Sequence, residues 1–483
     1  ETSARGWVLL CLAGRPRAEA SGVFAVTPLR SGPMKTVFEV LRALAWVRRR
    51  SRAGAYVALL AMPAACTLAL LLWRLSGRRD RMRLAYKEDD DSAAAVVKHL
   101  EPVRDYVPTP WMVGGDMHTA IPSFVRAPPS PAPAYRREFV DVCLGGRIAL
   151  DWLGEARPGV TGGRHVLILL HGLTGGSHET YVQFMAIEAA HKHNMAVVVM
   201  NARGCAETAL ASAQGYCGCW TEDVRQVAAL VRERAGPKAR VFAAGFSLGA
   251  GVLSKYLVEE GSDSKIDAGA SLCPSLDFVR SVATMESPMH AVTYNRVLRD
   301  ALLAYFERHA ESIERFGNPK GIDFDRVRRS RLVREFDGAV VAPMFGYDSA
   351  WDYYHDATTA PFLATRVAVP LLTLSAADDP ICDVRGVPTE AAAKNPRLFL
   401  GVTSEGGHVA WSTGMDAQGK YWYPDVCLRF FDAVAKGMAP GRAAGIEPRV
   451  GRASVGAGAR PGPVTIGITG DASGRKRVIG LSD

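Results

Sequence analysis

Gly245-Phe246-Ser247-Leu248-Gly249 sets a serine between two glycines, directly after the strand-like run ARVFAA and directly before a helical stretch. A serine on a sharp strand-to-helix turn is held with its hydroxyl exposed, and the flanking glycines are needed because side chains there would collide with neighbouring backbone. Such a hydroxyl becomes a nucleophile when a histidine takes its proton and an acid orients the histidine. On turns of this kind the chain order is serine, acid, histidine. Of the 11 histidines, His408 stands at the end of the last predicted strand, in Ser404-Glu405-Gly406-Gly407-His408. Its two glycines let a loop return the ring towards Ser247. His290, His309 and His355 also lie downstream, but within a stretch read below as a cap. The acid should close the penultimate strand, where LLTLSAADDPICD offers Asp378 and Asp379. Adjacent carboxylates point different ways, so one of the two can meet the imidazole. Acyl transfer also requires two amide donors for a developing oxyanion. The N–H of Leu248 is one, and the loop from Leu169 to Ser177 supplies the other, at Leu173. His171 in that loop reads as a structural hydrogen-bonder.

These residues need a framework, and the sequence between them alternates strand-like and helix-like segments. Residues 137–153 read as two strands joined at Gly145-Gly146, a hairpin pattern. Short apolar runs follow at Val166–Leu170, Ala196–Met200, Val241–Ala244, Ala268–Leu272, Leu371–Ser375 and Leu398–Val402. Helical periodicity separates them over Thr180–Lys192, Glu222–Arg234, Leu248–Glu260 and Asp425–Ala435. Continuous apolar strands alternating with helices imply a mostly parallel sheet covered on both faces, with function at the carboxyl ends of the strands. The stretch from about 276 to 365 is too long for a plain loop and reads as a helical cap inserted over those ends.

The chain has 483 residues, 48% hydrophobic, 22% charged and 8% aromatic, which excludes a mostly disordered, collagen-like or multi-span membrane protein. The net charge of +9 belongs to the ends. Residues 1–87 carry 16 Lys/Arg against 4 Asp/Glu and residues 440–483 carry 7 against 3, whereas the middle carries 35 against 42. An acidic body argues against nucleic acid as a partner. The nine cysteines lack the spacing of a zinc or redox site, and an odd number argues against a disulfide scaffold. Gly172 to Gly176 lacks the Lys-Ser/Thr of a P-loop, and no dinucleotide fingerprint stands out. His191-Lys192-His193 and Cys217-Gly218-Cys219 are weak ligand patterns. No metal or organic cofactor is implied.

Ala53 to Trp73 is a run of 21 uncharged residues, long enough as a helix to cross about 30 Å of hydrocarbon. A transmembrane anchor over 53–75 is therefore expected, making this a single-pass protein of a membrane, with endomembranes favoured. Arginines flank it on both sides, so the charge bias does not orient it. Residues 1–52, basic and poor in acids, suggest targeting sequence. Residues 440–483, dominated by Gly, Ala, Pro, Ser and Arg, suggest a mobile tail.

Taken together, His171-Gly172-Leu173, Asn201-Ala202-Arg203-Gly204-Cys205, Gly245-Phe246-Ser247-Leu248-Gly249, Asp352-Tyr353-Tyr354, Asp378-Asp379-Pro380 and Gly406-Gly407-His408-Val409 resemble the α/β-hydrolase fold. The closer likeness is to the group that contains the α/β-hydrolase domain-containing proteins one to three, medium-chain ester synthase/esterases and plant embryogenesis-associated hydrolases. The resemblance covers roughly Lys98 to Gly437, the catalytic domain being taken as 98–437. It implies a mostly parallel sheet of the eight-stranded type with helices on both faces. It also implies Asp379, immediately before the proline turn, as the acid, with Asp378 as the alternate. The activity implied is that of a serine carboxylic ester hydrolase acting on lipid or medium-chain acyl esters at a membrane. Ala250 stands where typical members have glycine. Two other readings use the same residues: acyl transfer to an alcohol, and a ligand-binding protein that keeps the fold without turnover.

Overall fold

The computed structural model describes residues 79–154, 161–415 and 420–449, together with the backbone of 466–467. Short strands β1 (Asp80–Arg81), β2 (Arg83–Ala85) and β3 (Asp105–Tyr106) come first. The hairpin of β4 (Tyr135–Val142) and β5 (Gly146–Leu153) follows. After it come β6 (Val166–Leu170), β7 (Ala196–Asn201), β8 (Val241–Phe246), β9 (Ala268–Leu272), β10 (Leu371–Ala376) and β11 (Leu398–Thr403). They assemble as β4-β5-β7-β6-β8-β9-β10-β11, eight strands edged by β2 beyond β11 and by a two-residue pairing of Ile466–Gly467 on β4. From β7 through to β11 every neighbouring pair is parallel, whereas β4, β5 and β7 run antiparallel to one another in turn.

The hairpin closes one residue earlier than its glycines suggest. Val142 pairs with Gly146, the Gly146 N–H donates to the Cys143 carbonyl, and Leu144 and Gly145 take positive φ at 55° and 66°. Two left-handed central residues match the twist of the flanking strands. Gly146 is already in the strand, and a Cβ there would sit 2.4 Å from the Arg203 guanidinium carbon.

Strand side chains alternate between two apolar layers, as a sheet buried on both faces requires. Leu167, Leu169, Phe242, Ala244 and Phe246 face one core with the helices Thr180–His193 and Tyr423–Ala435. Val166, Ile168, Leu170, Val241 and Ala243 face the other, with Glu222–Ala235 and Leu248–Glu260. Phe242 stacks on Phe431 at 4.8 Å between ring centres.

Between β9 and β10 the chain makes a run of helices from Phe278 to Ala357, the longest being Tyr294–Arg315. They enclose a third core around Phe306, Phe336, Tyr353 and Tyr354. The buried Lys255 of the helix Leu248–Glu260 anchors them, donating to the carbonyl and carboxylate of Asp356 at 2.9 and 3.1 Å. Tyr305 and His309 add bonds to the Arg203 and Gly204 carbonyls at 2.7 and 2.8 Å.

Three further segments are tied to this body. Helix Asp91–Leu100 packs on Tyr423–Ala435 with His99 bonded to Asp432 at 2.9 Å. Helix Gly114–Val125 lies behind the β11 loop. Residues 441–449, just past β-sheet and helix, are held by Arg442 on the carbonyls of Ser264 and Ile266 and by backbone bonds from Ala443 to Ala368 and from Arg449 to Glu259.

The single-pass membrane topology expected from residues 53–75 is corrected. Among the described residues no helix is long and apolar enough to cross a membrane, and 53–75 itself lies outside them. Charge is what excludes the described helices. Even the 22-residue helix Tyr294–Arg315 carries Arg296, Arg299, Asp300, Glu307, Arg308, Glu311 and Glu314, each costly in hydrocarbon.

Candidate active site

Ser247 sits between β8 and the helix Leu248–Glu260 with φ 54° and ψ −117°, a conformation that costs an L-residue energy and persists where the surroundings enforce it. The enforcement is visible. The Ser247 N–H donates to the Leu272 carbonyl at 2.9 Å, and the Ala250 and Gly251 amides return to the Ser247 carbonyl. A Cβ on Gly245 would lie 2.4 Å from the Gly249 carbonyl oxygen, and one on Gly249 would lie 2.4 Å from that of His171. Both glycines are therefore demanded by backbone. At Gly251 nothing lies within 4 Å of an added Cβ, and Ala250, the residue that departs from the usual glycine, is accommodated and fully buried.

The structure brings Ser247, His408 and Asp379 into one line. His408 Nε2 is 2.7 Å from Ser247 Oγ, and His408 Nδ1 is 2.9 Å from Asp379 Oδ2. A carboxylate accepts only, so Nδ1 carries the ring proton and Nε2 is free to accept from the serine. The second oxygen of Asp379 takes the Ile381 and Cys382 amides at 2.8 and 2.9 Å, which locks the carboxylate in the turn after β10. Such an arrangement can move the serine proton onto the imidazole and hold the resulting cation beside a buried negative charge.

Asp378 does not face the imidazole. Its Oδ1 accepts the Gly407 N–H at 2.9 Å, while Oδ2 is buried with no hydrogen-bond partner among the described residues. Burial pushes this carboxyl up to about 6, helped by the Glu405 and Asp379 charges and opposed by the Gly407 amide and the His118 ring. Asp378, the alternate acid in the sequence, thus supports the His408 loop instead of the ring, and nothing in the sequence singles out His118 or Thr119.

Leu173 follows β6, and among the described residues neither the Leu173 nor the Leu248 amide donates to a protein acceptor. The loop around Leu173 is held rigidly. Gly172 N–H donates to the Tyr181 hydroxyl at 3.0 Å, Thr174 N–H to the Tyr216 hydroxyl at 2.6 Å, and Ser177 N–H to Asn201 Oδ1 at 2.9 Å. Asn201 in turn bonds the buried Asp151 at 2.8 Å. Arg203, in the same Asn-Ala-Arg-Gly-Cys segment, grips Asp223 through two bonds at 2.7 and 2.8 Å. His171 is a structural hydrogen-bonder: Nδ1 donates to the Gly172 carbonyl at 2.7 Å and Nε2 accepts the Ala202 amide at 3.0 Å. Burial lowers it to about 4, so it stays neutral.

Beside Leu173 and Leu248 lies a narrow cavity of about 50 Å³, walled by Leu302, Phe306, Val340 and Met344. One polar wall residue, Asp337, is pushed up to about 7 by burial, against the opposing bond from the Tyr354 hydroxyl at 2.7 Å. Cys273 Sγ, Asp379 and His408 lie close enough together to resemble a ligand cluster, but the histidine and the acid are already engaged with Ser247 and with each other. His191, His193, Cys217 and Cys219 form no such cluster among the described residues.

Comparison with known proteins agrees with this architecture. The chain is 35% identical over 282 residues to a monoacylglycerol lipase of Saccharomyces cerevisiae, covering 57% of this chain and 62% of that protein's length. It is 32% identical to the embryogenesis-associated protein EMB8 of Picea glauca, with 69% and 73% covered. It is 31% identical to the phospholipase ABHD3 of Homo sapiens, with 68% and 79% covered. The family described as alpha/beta hydrolase fold matches residues 165–414, from the start of the parallel strands to just beyond His408, and the chain belongs to that family.

Proposed function

We propose that this chain is a carboxylic ester hydrolase in which Ser247 is the nucleophile, His408 the general base and Asp379 the orienting acid. The observation that carries the reading is the unbroken hydrogen-bonded line from Ser247 Oγ through His408 to Asp379, with the serine on a strained turn between β8 and the helix Leu248–Glu260. In the first half-reaction the Ser247 proton passes to His408 Nε2 as Oγ attacks the ester carbonyl carbon. The carbonyl electron pair moves to oxygen, where the Leu173 and Leu248 amides receive it. Collapse of this tetrahedral species breaks the bond to the alcohol, which leaves with the proton from His408. Water then repeats the sequence on the acyl-enzyme and releases the acid.

The relatives named lipase and phospholipase support acyl lipids as the substrate class. The apolar cavity beside the two amides supports an acyl chain directed into the helical insertion, which acts as a cap. Ser247→Ala should lower turnover of a medium-chain p-nitrophenyl ester by on the order of a thousandfold or more while the protein remains folded. A fluorophosphonate probe should label the wild type at Ser247. Near-wild-type turnover by the alanine variant would refute the reading.

A further inference from the structure

The loop that carries His408 is gripped from three sides. Three consecutive backbone amides each donate to a side chain from a different element: Gly407 N–H to Asp378 Oδ1 at 2.9 Å, His408 N–H to Thr119 Oγ1 at 2.8 Å, and Val409 N–H to Cys273 Sγ at 3.2 Å. Asp378 follows β10, Cys273 follows β9 at a positive φ of 49°, and Thr119 lies on the helix Gly114–Val125. Thr119 is itself aimed, because its hydroxyl donates to the Gly115 carbonyl at 2.7 Å and so turns a lone pair towards the His408 amide. The contact is too close for substitution on either side. A Cβ on Gly407 would stand 2.7 Å from Thr119 Oγ1 and 2.8 Å from the Gly115 carbonyl oxygen, and a Cβ on Gly115 would stand 1.6 Å from the Asp378 carbonyl oxygen.

Three successive amides with acceptors of this kind leave the loop little freedom to rotate. The imidazole depends on that, since its two ring bonds require Nδ1 and Nε2 to be aimed at once. We infer that Thr119, on a helix outside the region matched by the family, is a positioning residue for His408. The inference rests on the proposed role of His408 as base. Its consequence is that catalysis depends on a segment ahead of the parallel sheet: the helix Gly114–Val125 serves as the outer jaw of a clamp whose inner jaws are the ends of β9 and β10.

The test uses the full chain with Thr119→Val, which keeps the shape and removes the acceptor, and Thr119→Ser, which keeps the hydroxyl. Misplacing a catalytic group by about 1 Å can cost on the order of a hundredfold, so the valine variant should lose roughly tenfold or more in kcat. Its KM should stay within about twofold, since Thr119 does not touch the substrate cavity. The rate of fluorophosphonate labelling should fall in parallel, and serine should restore kcat to within about threefold of wild type. A valine variant with wild-type kcat, or a loss that serine does not restore, would overturn the assignment. Should valine unfold the protein, Thr119→Ala compared with Thr119→Ser gives the same decision. Ser247→Ala run alongside separates the two ideas: activity surviving there removes the proposed base chemistry, whereas an inactive Ser247→Ala with a fully active Thr119→Val removes the clamp alone.

Discussion

Asp378 offers the sharpest stability test, because its carboxyl is held by a single amide and otherwise buried. Burial lifts it from 3.8 to about 6, a little over two pH units, and each unit is worth about 1.4 kcal/mol. Between pH 3.8 and 6 the folded chain binds more protons at this group than the unfolded chain does. Stability from Asp378 is therefore complete below about pH 4 and lost as pH rises through 6, a penalty on the order of 3 kcal/mol at neutral pH. Asp378→Asn keeps an Oδ1 acceptor for the Gly407 amide and abolishes the charge. The variant should be more stable than wild type by about 2 to 3 kcal/mol at pH 8 and equal to it near pH 4. Urea denaturation at both pH values, read as a shift in midpoint at constant slope, measures this. Asp378→Ala, which also loses the Gly407 bond, should fall below the asparagine variant at every pH by about 1 kcal/mol. If the asparagine variant gains nothing at pH 8, or gains equally at both pH values, the buried carboxyl is not the source of the penalty.

Two further perturbations follow from geometry. Gly249→Ala drives a Cβ to within 2.4 Å of the His171 carbonyl oxygen, so it should cost about 1 to 3 kcal/mol and remove most esterase activity by displacing the Leu248 amide. Gly251→Ala, two positions on and open to 4 Å, should instead gain up to about 1 kcal/mol from helix propensity; thermal midpoints of the pair decide it. His171, lowered to about 4 from 6.5, binds fewer protons folded than unfolded across that window, so its contribution is lost as pH falls from 6.5 to 4, on the order of 3 kcal/mol. His171→Gln should flatten that part of the pH–stability curve.

The central strands and the nucleophile turn were legible because their signals are local. Val166–Leu170 is apolar at every position and Ala268–Leu272 at all but Ser271, as strands buried on both faces require, and Gly245 answers to a clash with Gly249 four residues on. Leu144 shows where local reading fails: a leucine in a left-handed turn position has no propensity signal, and the strand register past Gly146 decides it. The choice between Asp378 and Asp379 was likewise beyond local reading. It came from resemblance, since the residues alone place both acids on the same turn. Thr119 left no trace either. A threonine four residues after a glycine in a short helix is ordinary until Gly407, separated by almost three hundred residues, packs against it. Single-residue chemistry was readable, and the support that aims it was not, because support is made of long-range backbone contacts.

Two buried groups beside the site should oppose each other in the pH dependence of stability. Asp378 makes stability fall as pH rises from about 4 to 6, and His171 makes it rise from about 4 to 6.5. The two slopes oppose each other with nearly equal magnitude, each on the order of 3 kcal/mol over the window. The two contributions largely cancel, which leaves the wild-type slope between pH 4 and 6.5 to other groups such as the buried Asp337. Relative to wild type, Asp378→Asn should gain stability as pH rises through this window, and His171→Gln should lose it. In the double variant the two differences from wild type should add, because the two sites act through separate elements, the turn after β10 and the loop after β6. Unfolding free energies at pH 4, 5 and 6.5 for the four proteins test this directly. Differences from wild type that do not change with pH in these opposite directions would show that the two buried groups do not titrate as their surroundings require.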